Sequence, residues 1–162
     1  MLKNILSPSD CAECRVCCVF DRYDLWETPA IPEAMKDALE ELDPSVEFIA
    51  KGGSYRFKMV EDSEGLYYCP MLTETGCKLG DSKPMECRIW PFRLMRLGDF
   101  LVIAMASICP TMYKKSLKRL VEELDSGLAD IIYEEGEKFP EIIKDYCEGY
   151  PILKVKSIPS QK

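Results

Sequence analysis

The sequence predicts an α+β fold in which a small antiparallel sheet of two hairpins has flanking helices. Apolar residues in the middle of the chain recur with a period of two on either side of polar or glycine-containing breaks, which is typical of hairpins. Elsewhere they recur with a helical period. The chain has 162 residues and no change of composition along its length. We therefore expect a single domain, residues 1–162, with a helical C-terminal part.

The two expected hairpins differ in how clearly the sequence marks them. In the first, residues 54–59 alternate between apolar and polar side chains, and residues 66–68 would return after a polar break. In the second, residues 92–97 and 100–105 flank the pair Gly98-Asp99, in which glycine can supply the positive φ of a tight turn.

Helices are expected before and after these hairpins. Residues 31–42 place their apolar side chains on one helical face. Thr111 is a candidate N-cap for a helix that covers the sheet and continues to about Glu135. Pro140 would open a short final helix, and the polar tail from 154 to 162 is expected to fray. The apolar stripe of the covering helix is Leu117, Leu120, Val121, Leu124 and Leu128.

The charge of the chain excludes some partners. It has 28 acidic and 21 basic side chains and a formal net charge of -7, which would repel a phosphate backbone, so we expect no nucleic acid partner. The N-terminus lacks the apolar run of a signal peptide, and no stretch has the length of a membrane span. We therefore expect a cytoplasmic location and no membrane association.

Nine cysteines and no histidine are the most informative part of the composition. In a reducing compartment, a spaced group of cysteines indicates a ligand set or a redox site more than a disulfide framework. The lack of histidine removes both the commonest zinc ligand and the usual general base at neutral pH. The sequence therefore favours an all-thiolate metal site over an ordinary hydrolase site.

The cysteines fall into two groups. The first follows the spacing C-x-x-C-x-x-C-C, in which each C-x-x-C loop lets two sulfurs reach one ion. Its last two members are adjacent, so we expect their side chains to point in different directions and leave open whether both bind one ion. The second group lies beside prolines or glycines, in loops that can return to the first group. The eight candidate metal ligands are Cys11, Cys14, Cys17, Cys18, Cys69, Cys77, Cys87 and Cys109.

Eight thiolates fit two four-cysteine sites, or one polynuclear centre with spare thiols, and we expect the fold to be organised around this cysteine-ligated metal site. Basic side chains close to the cysteines either offset the thiolate charge or are exposed surface charges. They are Arg15, Lys78, Lys83, Arg88 and Arg93. The alternatives for the whole set are buried free thiols and a disulfide framework. Cys147 has no companion and is interpreted as an incidental thiol.

These motifs, in their order along residues 11–110, resemble the YkgJ-like cysteine-cluster family of zinc- or iron-chelating proteins. The matching segments are the C-x-x-C-x-x-C-C run, Cys69-Pro70-Met71-Leu72, Gly76-Cys77, Lys83-Pro84-x-x-Cys87-Arg88-x-x-Pro91-Phe92 and Cys109-Pro110. Lys83 stands where the family prefers arginine. The resemblance implies the same eight ligands. A related cluster region looks like part of the flagellin lysine methylases, which are longer chains, but this sequence has no glycine-rich strand-turn-helix for a methyl donor.

All-sulfur ligation suits both zinc and iron-sulfur clusters. The C-x-x-C-x-x-C run and a later Cys-Pro are similar to cluster-binding ferredoxin segments and favour an iron-sulfur cluster with a redox or electron-transfer role. The alternatives are a zinc-binding structural or interaction module and a cluster-containing enzyme related to the methylases, for which the sequence identifies no catalytic residue. The partner would be a redox partner or another protein that the sequence does not specify.

Overall fold

The computed structural model of the chain describes residue 2 and residues 5–158, and for Pro8, Ser9 and Cys11 it describes the backbone only. The chain forms two compact units. The first consists of residues 8–88, and the second of residues 1–7 together with residues 89–162. Both units contain helices and β-strands, which confirms the predicted α+β class. Within the described residues, no helix is long and apolar enough to cross a membrane.

The first unit combines three helices with seven short strands. Its helices are α1 (Pro8–Cys14), α2 (Glu33–Leu42) and α3 (Met85–Ile89), the last of which ends one residue beyond the unit. Its strands are β1 (Val19–Phe20), β2 (Phe48–Lys51), β3 (Ser54–Phe57), β4 (Val60–Glu61), β5 (Tyr67–Tyr68), β6 (Leu72–Thr73) and β7 (Gly76–Cys77). They form the antiparallel sheet β1-β5-β4 and the hairpins β2-β3 and β6-β7.

The first predicted hairpin is divided between two of these sheets. Strand β3 pairs with β2 instead of with residues 66–68, and on its other side Tyr55 exchanges two backbone hydrogen bonds with Ile31. Residues 67–68 pair with β4 across a turn in which Asp62 accepts the N–H groups of Glu64 and Leu66. The period of two in the sequence identified the strands. It did not identify their partners, because it shows only which side chains share a face of a sheet.

The core of the first unit explains the position of α2. This helix confirms the prediction for residues 31–42, although only Leu39 on it is fully buried and Leu42 is exposed. Leu39 packs among apolar side chains from loops and from β3. The buried residues of this cluster are Ile31, Leu39, Val46, Phe57, Met59, Met71 and Leu79.

The second unit is built on one four-stranded sheet. Its strands are β8 (Phe92–Leu97), β9 (Phe100–Met105), β10 (Lys144–Asp145) and β11 (Ile152–Ser157), in the order β10-β8-β9-β11. The β8-β9 hairpin turns at Gly98, whose φ is 56°, and confirms the prediction. Strand β10 pairs with β8 in parallel, which is an exception to the antiparallel arrangement that the sequence predicts.

The helices of the second unit are α4 (Pro110–Tyr113), α5 (Leu117–Glu123) and α6 (Ala129–Lys138). Thr111 does not cap the long helix: it lies within α4, and Ser116 caps α5 by accepting the N–H of Arg119. A π-helical turn at Leu124–Leu128, in which Gly127 has a φ of 107°, joins α5 to α6. Pro140 opens a single 3-10 turn in place of the expected final helix.

The tail was expected to fray from residue 154 onward. Residues 154–157 instead belong to strand β11. Val155 lies opposite Val102 of β9, and Lys154 and Lys156 form ion pairs with acidic side chains of the helical region. The lysines make this segment polar, and a polar segment near a terminus gives little sign of a distant pairing partner. The strand was therefore not predicted. Residues 159–162, the rest of the predicted tail, lie outside the described part of the chain.

Helix α6 packs so closely on β8 that Gly136 has no room for a side chain. A β-carbon at this position would overlap the buried Leu94 and touch Ile143. We expect Gly136→Ala to lower the free energy of unfolding, because overpacking costs about 1–3 kcal/mol and exceeds the roughly 1 kcal/mol gained in helix propensity. Chemical denaturation would measure it, with the exposed Glu134→Ala as control. A G136A protein as stable as the control would contradict this packing.

Candidate metal centre

The C-terminal end of α1 turns sharply at Arg15, which has the left-handed backbone conformation with a φ of 55°. A left-handed residue directly after a helix ends it and reverses the chain. The following 3-10 turn, Val16–Cys18, is closed by a hydrogen bond from the N–H of Cys18 to the carbonyl of Arg15, 2.8 Å long. This turn carries the last two cysteines of the first group.

The side chain of Arg15 holds the same turn in place. Its guanidinium donates hydrogen bonds to the carbonyl oxygens of Ala12, at 2.9 Å, and of Glu74, at 2.7 Å. Glu74 lies in the loop between β6 and β7, so Arg15 ties the end of α1 to the hairpin that carries Cys77. In the sequence, Arg15 is recognisable only as a charge near the cysteines. Its positioning role was not predictable, because a left-handed arginine has no sequence signal.

Two short strands bring the first cysteine group to the second. In the β1-β5 pair, Val19 lies opposite Tyr68, and the same register places Cys18 opposite Cys69. The N–H of Cys69 donates to the carbonyl of Cys18 at 2.9 Å, which continues the ladder by one residue. Residues more than fifty positions apart in sequence are thereby cross-strand neighbours.

Cys77 and Cys87 reach the same region on different elements. Cys77 lies on β7, and its neighbour Gly76 packs against α1 so closely that a β-carbon there would lie 3.4 Å from that of Ala12. Cys87 lies on α3, where its N–H donates to the carbonyl of Pro84. The charges of Cys17, Cys18 and Cys77 add to the effect of burial in raising the pKa of the Cys87 thiol, so Cys87 interacts electrostatically with all three.

Five half-buried thiols of the first unit thus lie together, and we name them the thiol cluster. Its members are Cys17, Cys18, Cys69, Cys77 and Cys87. The sulfurs of Cys17 and Cys18 are 3.8 Å apart, so these adjacent side chains do not diverge as expected. The reason is that the 3-10 turn ends at Cys18, and the alternation of side chains in a strand does not extend into such a turn.

The other predicted ligands are Cys11, Cys14 and Cys109. Cys14 is half-buried at the end of α1, and the side chain of Cys11 on the same helix is not among the described ones. Cys109 is buried in the second unit, directly before α4. Cys147 is exposed. No disulfide joins the cysteines whose side chains are described.

The donor chemistry of the thiol cluster fits a tetrahedral metal ion. Metal–sulfur bonds of about 2.3 Å in a tetrahedron separate neighbouring sulfurs by about 3.8 Å, which is the distance between the sulfurs of Cys17 and Cys18. Across the described side chains, however, no three cysteine or acidic groups are already grouped as ligands of one ion. The cluster is therefore a set of neighbouring thiols with one ligand-like pair.

Burial and mutual proximity keep these thiols protonated in the absence of a cation. The hydrogen bond with Cys18, together with burial, raises the pKa of Cys17 well above its usual value. The hydrogen bond with Cys17 lowers the pKa of Cys18. The interaction with Cys69 and burial outweigh it, and the net effect raises the pKa of Cys18 to about 12. Burial raises the pKa of Cys87, and the charges of Cys17 and Cys18 add to the effect. Several thiolates can coexist here only if a cation compensates them.

The nearby basic residues differ in what they do. Lys83 lowers the pKa of Cys17 through its charge, as a residue that offsets thiolate charge would. Lys78 instead pairs with Asp43, and its hydrogen bond holds the pKa of that carboxyl at about 2. Arg88 is exposed. In the second unit, the buried Arg93 stacks its guanidinium on Trp90, 4.9 Å from the ring centre.

Comparisons of the chain with protein-family models, curated proteins and solved structures found no match. The resemblance to the YkgJ-like family, drawn from the cysteine motifs, therefore stays a prediction.

The left-handed turn at Arg15 gives a test of how the cluster is positioned. Both Arg15→Ala and Arg15→Gly remove the two guanidinium hydrogen bonds, but only glycine adopts this backbone conformation without strain. We expect R15G to be more stable than R15A by about 1 kcal/mol. Chemical denaturation of both variants would measure the difference. Equal stabilities would show that the turn does not require a left-handed residue at position 15.

The raised thiol pKa values predict how stability depends on pH. A thiol whose pKa rises from 9.0 to about 12 on folding binds its proton more tightly in the native state. Its stabilising contribution is complete below pH 9 and is lost as the pH rises toward 12. Thermal unfolding of metal-free, reduced protein should show this loss. We expect a shallower decline for Cys18→Ala and an unchanged one for Cys147→Ser; a C18A decline equal to that of the parent protein would contradict the prediction.

Proposed function

We propose that this protein binds a metal ion through the thiolates of the thiol cluster. The observation that supports this most strongly is that five cysteines from separate stretches of sequence lie together in one unit of a chain that has no histidine. Buried cysteines that act only as small apolar residues have no need to gather at one place. The charge of Lys83 lowers the pKa of Cys17 and would offset part of the negative charge of thiolates around a bound cation.

Zinc is the first candidate for the bound ion. The spacing of the Cys17 and Cys18 sulfurs matches two corners of one tetrahedral ion, and zinc is the usual ion in closed all-cysteine sites. When bound, zinc would supply folding free energy to the loops that carry these cysteines. Cys18, Cys69 and Cys87 would then fix the ends of the two-residue strands and of α3. The function of such a protein is that of a structural or interaction module with a protein partner, in the cytoplasm as the sequence predicts.

An iron-sulfur cluster with a redox or electron-transfer role is the second candidate. It is favoured by the number of thiols, since five exceed the four that a single zinc ion takes, and by the C-x-x-C-x-x-C spacing of Cys11, Cys14 and Cys17. Such a cluster supplies electron transfer, and the half-buried positions of its ligands would limit contact with solvent.

Metal content and colour distinguish the two candidates. The full chain is purified without oxygen and with a reductant, and zinc, iron and acid-labile sulfide are measured together with visible absorption. Zinc in a colourless protein would support the structural module, and iron with sulfide in a coloured protein would support the redox role. A folded protein that contains neither metal and takes up neither on addition would contradict the proposal.

Substitution of a cluster thiol should lower metal content selectively. We expect Cys87→Ser to reduce the bound metal at least severalfold, because loss of one ligand weakens a four-ligand site. Cys147→Ser is the matched control, since this thiol is exposed and lies outside the thiol cluster. Competition with a coloured chelator would measure both affinities. Equal affinities in C87S and C147S would exclude Cys87 from the ligand set.

A further inference from the structure

Cys18 and Cys69 have the relative position that a disulfide requires. They are directly opposite each other in an antiparallel pair, in the position where the N–H of Cys69 donates to the carbonyl of Cys18. The N–H of Cys18 donates to the carbonyl of Arg15 instead, so the pair has one of the two bonds of a regular hydrogen-bonded pair, in which α-carbons are about 5.5 Å apart. Disulfides span α-carbon distances of about 4.4–6.8 Å, a range that includes the spacing of cross-strand neighbours.

We propose that Cys18 and Cys69 are a disulfide-forming pair, through which a disulfide oxidant such as oxidised glutathione removes two ligands from the metal centre. The part that concerns metal release rests on the proposed function. The pairing itself rests on the β1-β5 register and stands without a metal. Both residues are half-buried, so a small oxidant has partial access to their sulfurs.

The reaction consists of two thiol–disulfide exchanges. In the first, the thiolate of one cysteine attacks a sulfur of oxidised glutathione, which forms a mixed disulfide and releases one glutathione thiolate. In the second, the thiolate of the other cysteine attacks the mixed disulfide, which forms the Cys18–Cys69 bond and releases the second glutathione. The two cysteines lose two electrons and two protons in total, and two glutathione thiols carry them away. A metal ion held by both sulfurs loses two ligands in the same process.

The competing pairs in the thiol cluster are less suitable. The sulfurs of Cys17 and Cys18 are 3.8 Å apart, but a bond between adjacent residues closes a small ring that contains their peptide group and strains its planarity. Cys87 lies on a helix, so it has no cross-strand partner of the kind that Cys18 and Cys69 provide for each other. The Cys18–Cys69 pair closes no such small ring, and its two members lie on facing segments of the chain.

Peptide mapping of the full chain tests the proposal. The protein, with its metal measured beforehand, is treated with oxidised glutathione at mildly alkaline pH, blocked with an alkylating agent and digested without reduction. Tandem mass spectrometry then identifies which cysteine of the segment 16–22 is joined to which cysteine of the segment 59–78. We expect a Cys18–Cys69 link as the main intramolecular disulfide and, in the same sample, release of the metal that the untreated protein held.

Matched variants separate the pairing from general reactivity of the thiol cluster. The link should persist in Cys17→Ser and Cys77→Ser and be lost in Cys18→Ser. A main link between Cys17 and Cys18, between Cys18 and Cys77, or no link at all would overturn the pairing. If the Cys18–Cys69 link forms in a protein that never held metal, the pairing is supported and only the proposed function fails. If metal stays bound while the link forms, the role in metal release is overturned.

Discussion

The cross-strand contact between Cys18 and Cys69 is the constraint on which the candidate metal centre depends. It consists of one backbone hydrogen bond and a pair of two-residue strands, yet it joins the N-terminal cysteine run to the segment that carries Cys77 and Cys87. Isolated strands of this length have little stability of their own. Other contacts of the same unit therefore have to hold them, and Arg15, which bonds the end of α1 to the loop at Glu74, is one of these.

The energetic situation of the thiols follows from this arrangement. Without a cation, they are half-buried neutral groups that add some apolar packing, and their raised pKa values show what ionisation would cost. A bound cation makes ionisation of the thiols favourable, because each thiolate then interacts with a positive charge. The apolar core of this unit is small, so ligation of a metal would contribute substantially to its stability.

Local patterns in the sequence predicted the β8-β9 hairpin and helix α2. The β8-β9 hairpin followed from Gly98-Asp99 between two apolar runs, and α2 followed from its helical periodicity. Pairings between distant segments were not predictable in this way. The pairing of β3 with β2 and the extension of the sheet by β11 depend on which edges are free in the folded chain, and no local pattern records that.

The same distinction applies to the thiols. Their spacing and the neighbouring prolines and glycines indicated which cysteines belong to loops that can converge. Five of the eight candidates affect one another's pKa values, and their role as ligands stays a prediction. The approach of the Cys17 and Cys18 sulfurs was not predictable, since it results from the left-handed Arg15 and the 3-10 turn that follows it. The burial of Cys109 in the second unit likewise has no signal in its Cys-Pro motif.

X-ray absorption spectroscopy of the metal-loaded protein tests the central claim most directly, because it identifies the atoms bound to the metal without a crystal. We expect sulfur ligands alone, at about 2.3 Å from the metal. A spectrum dominated by oxygen or nitrogen ligands would mean that the thiol cluster does not hold the metal and would contradict the account.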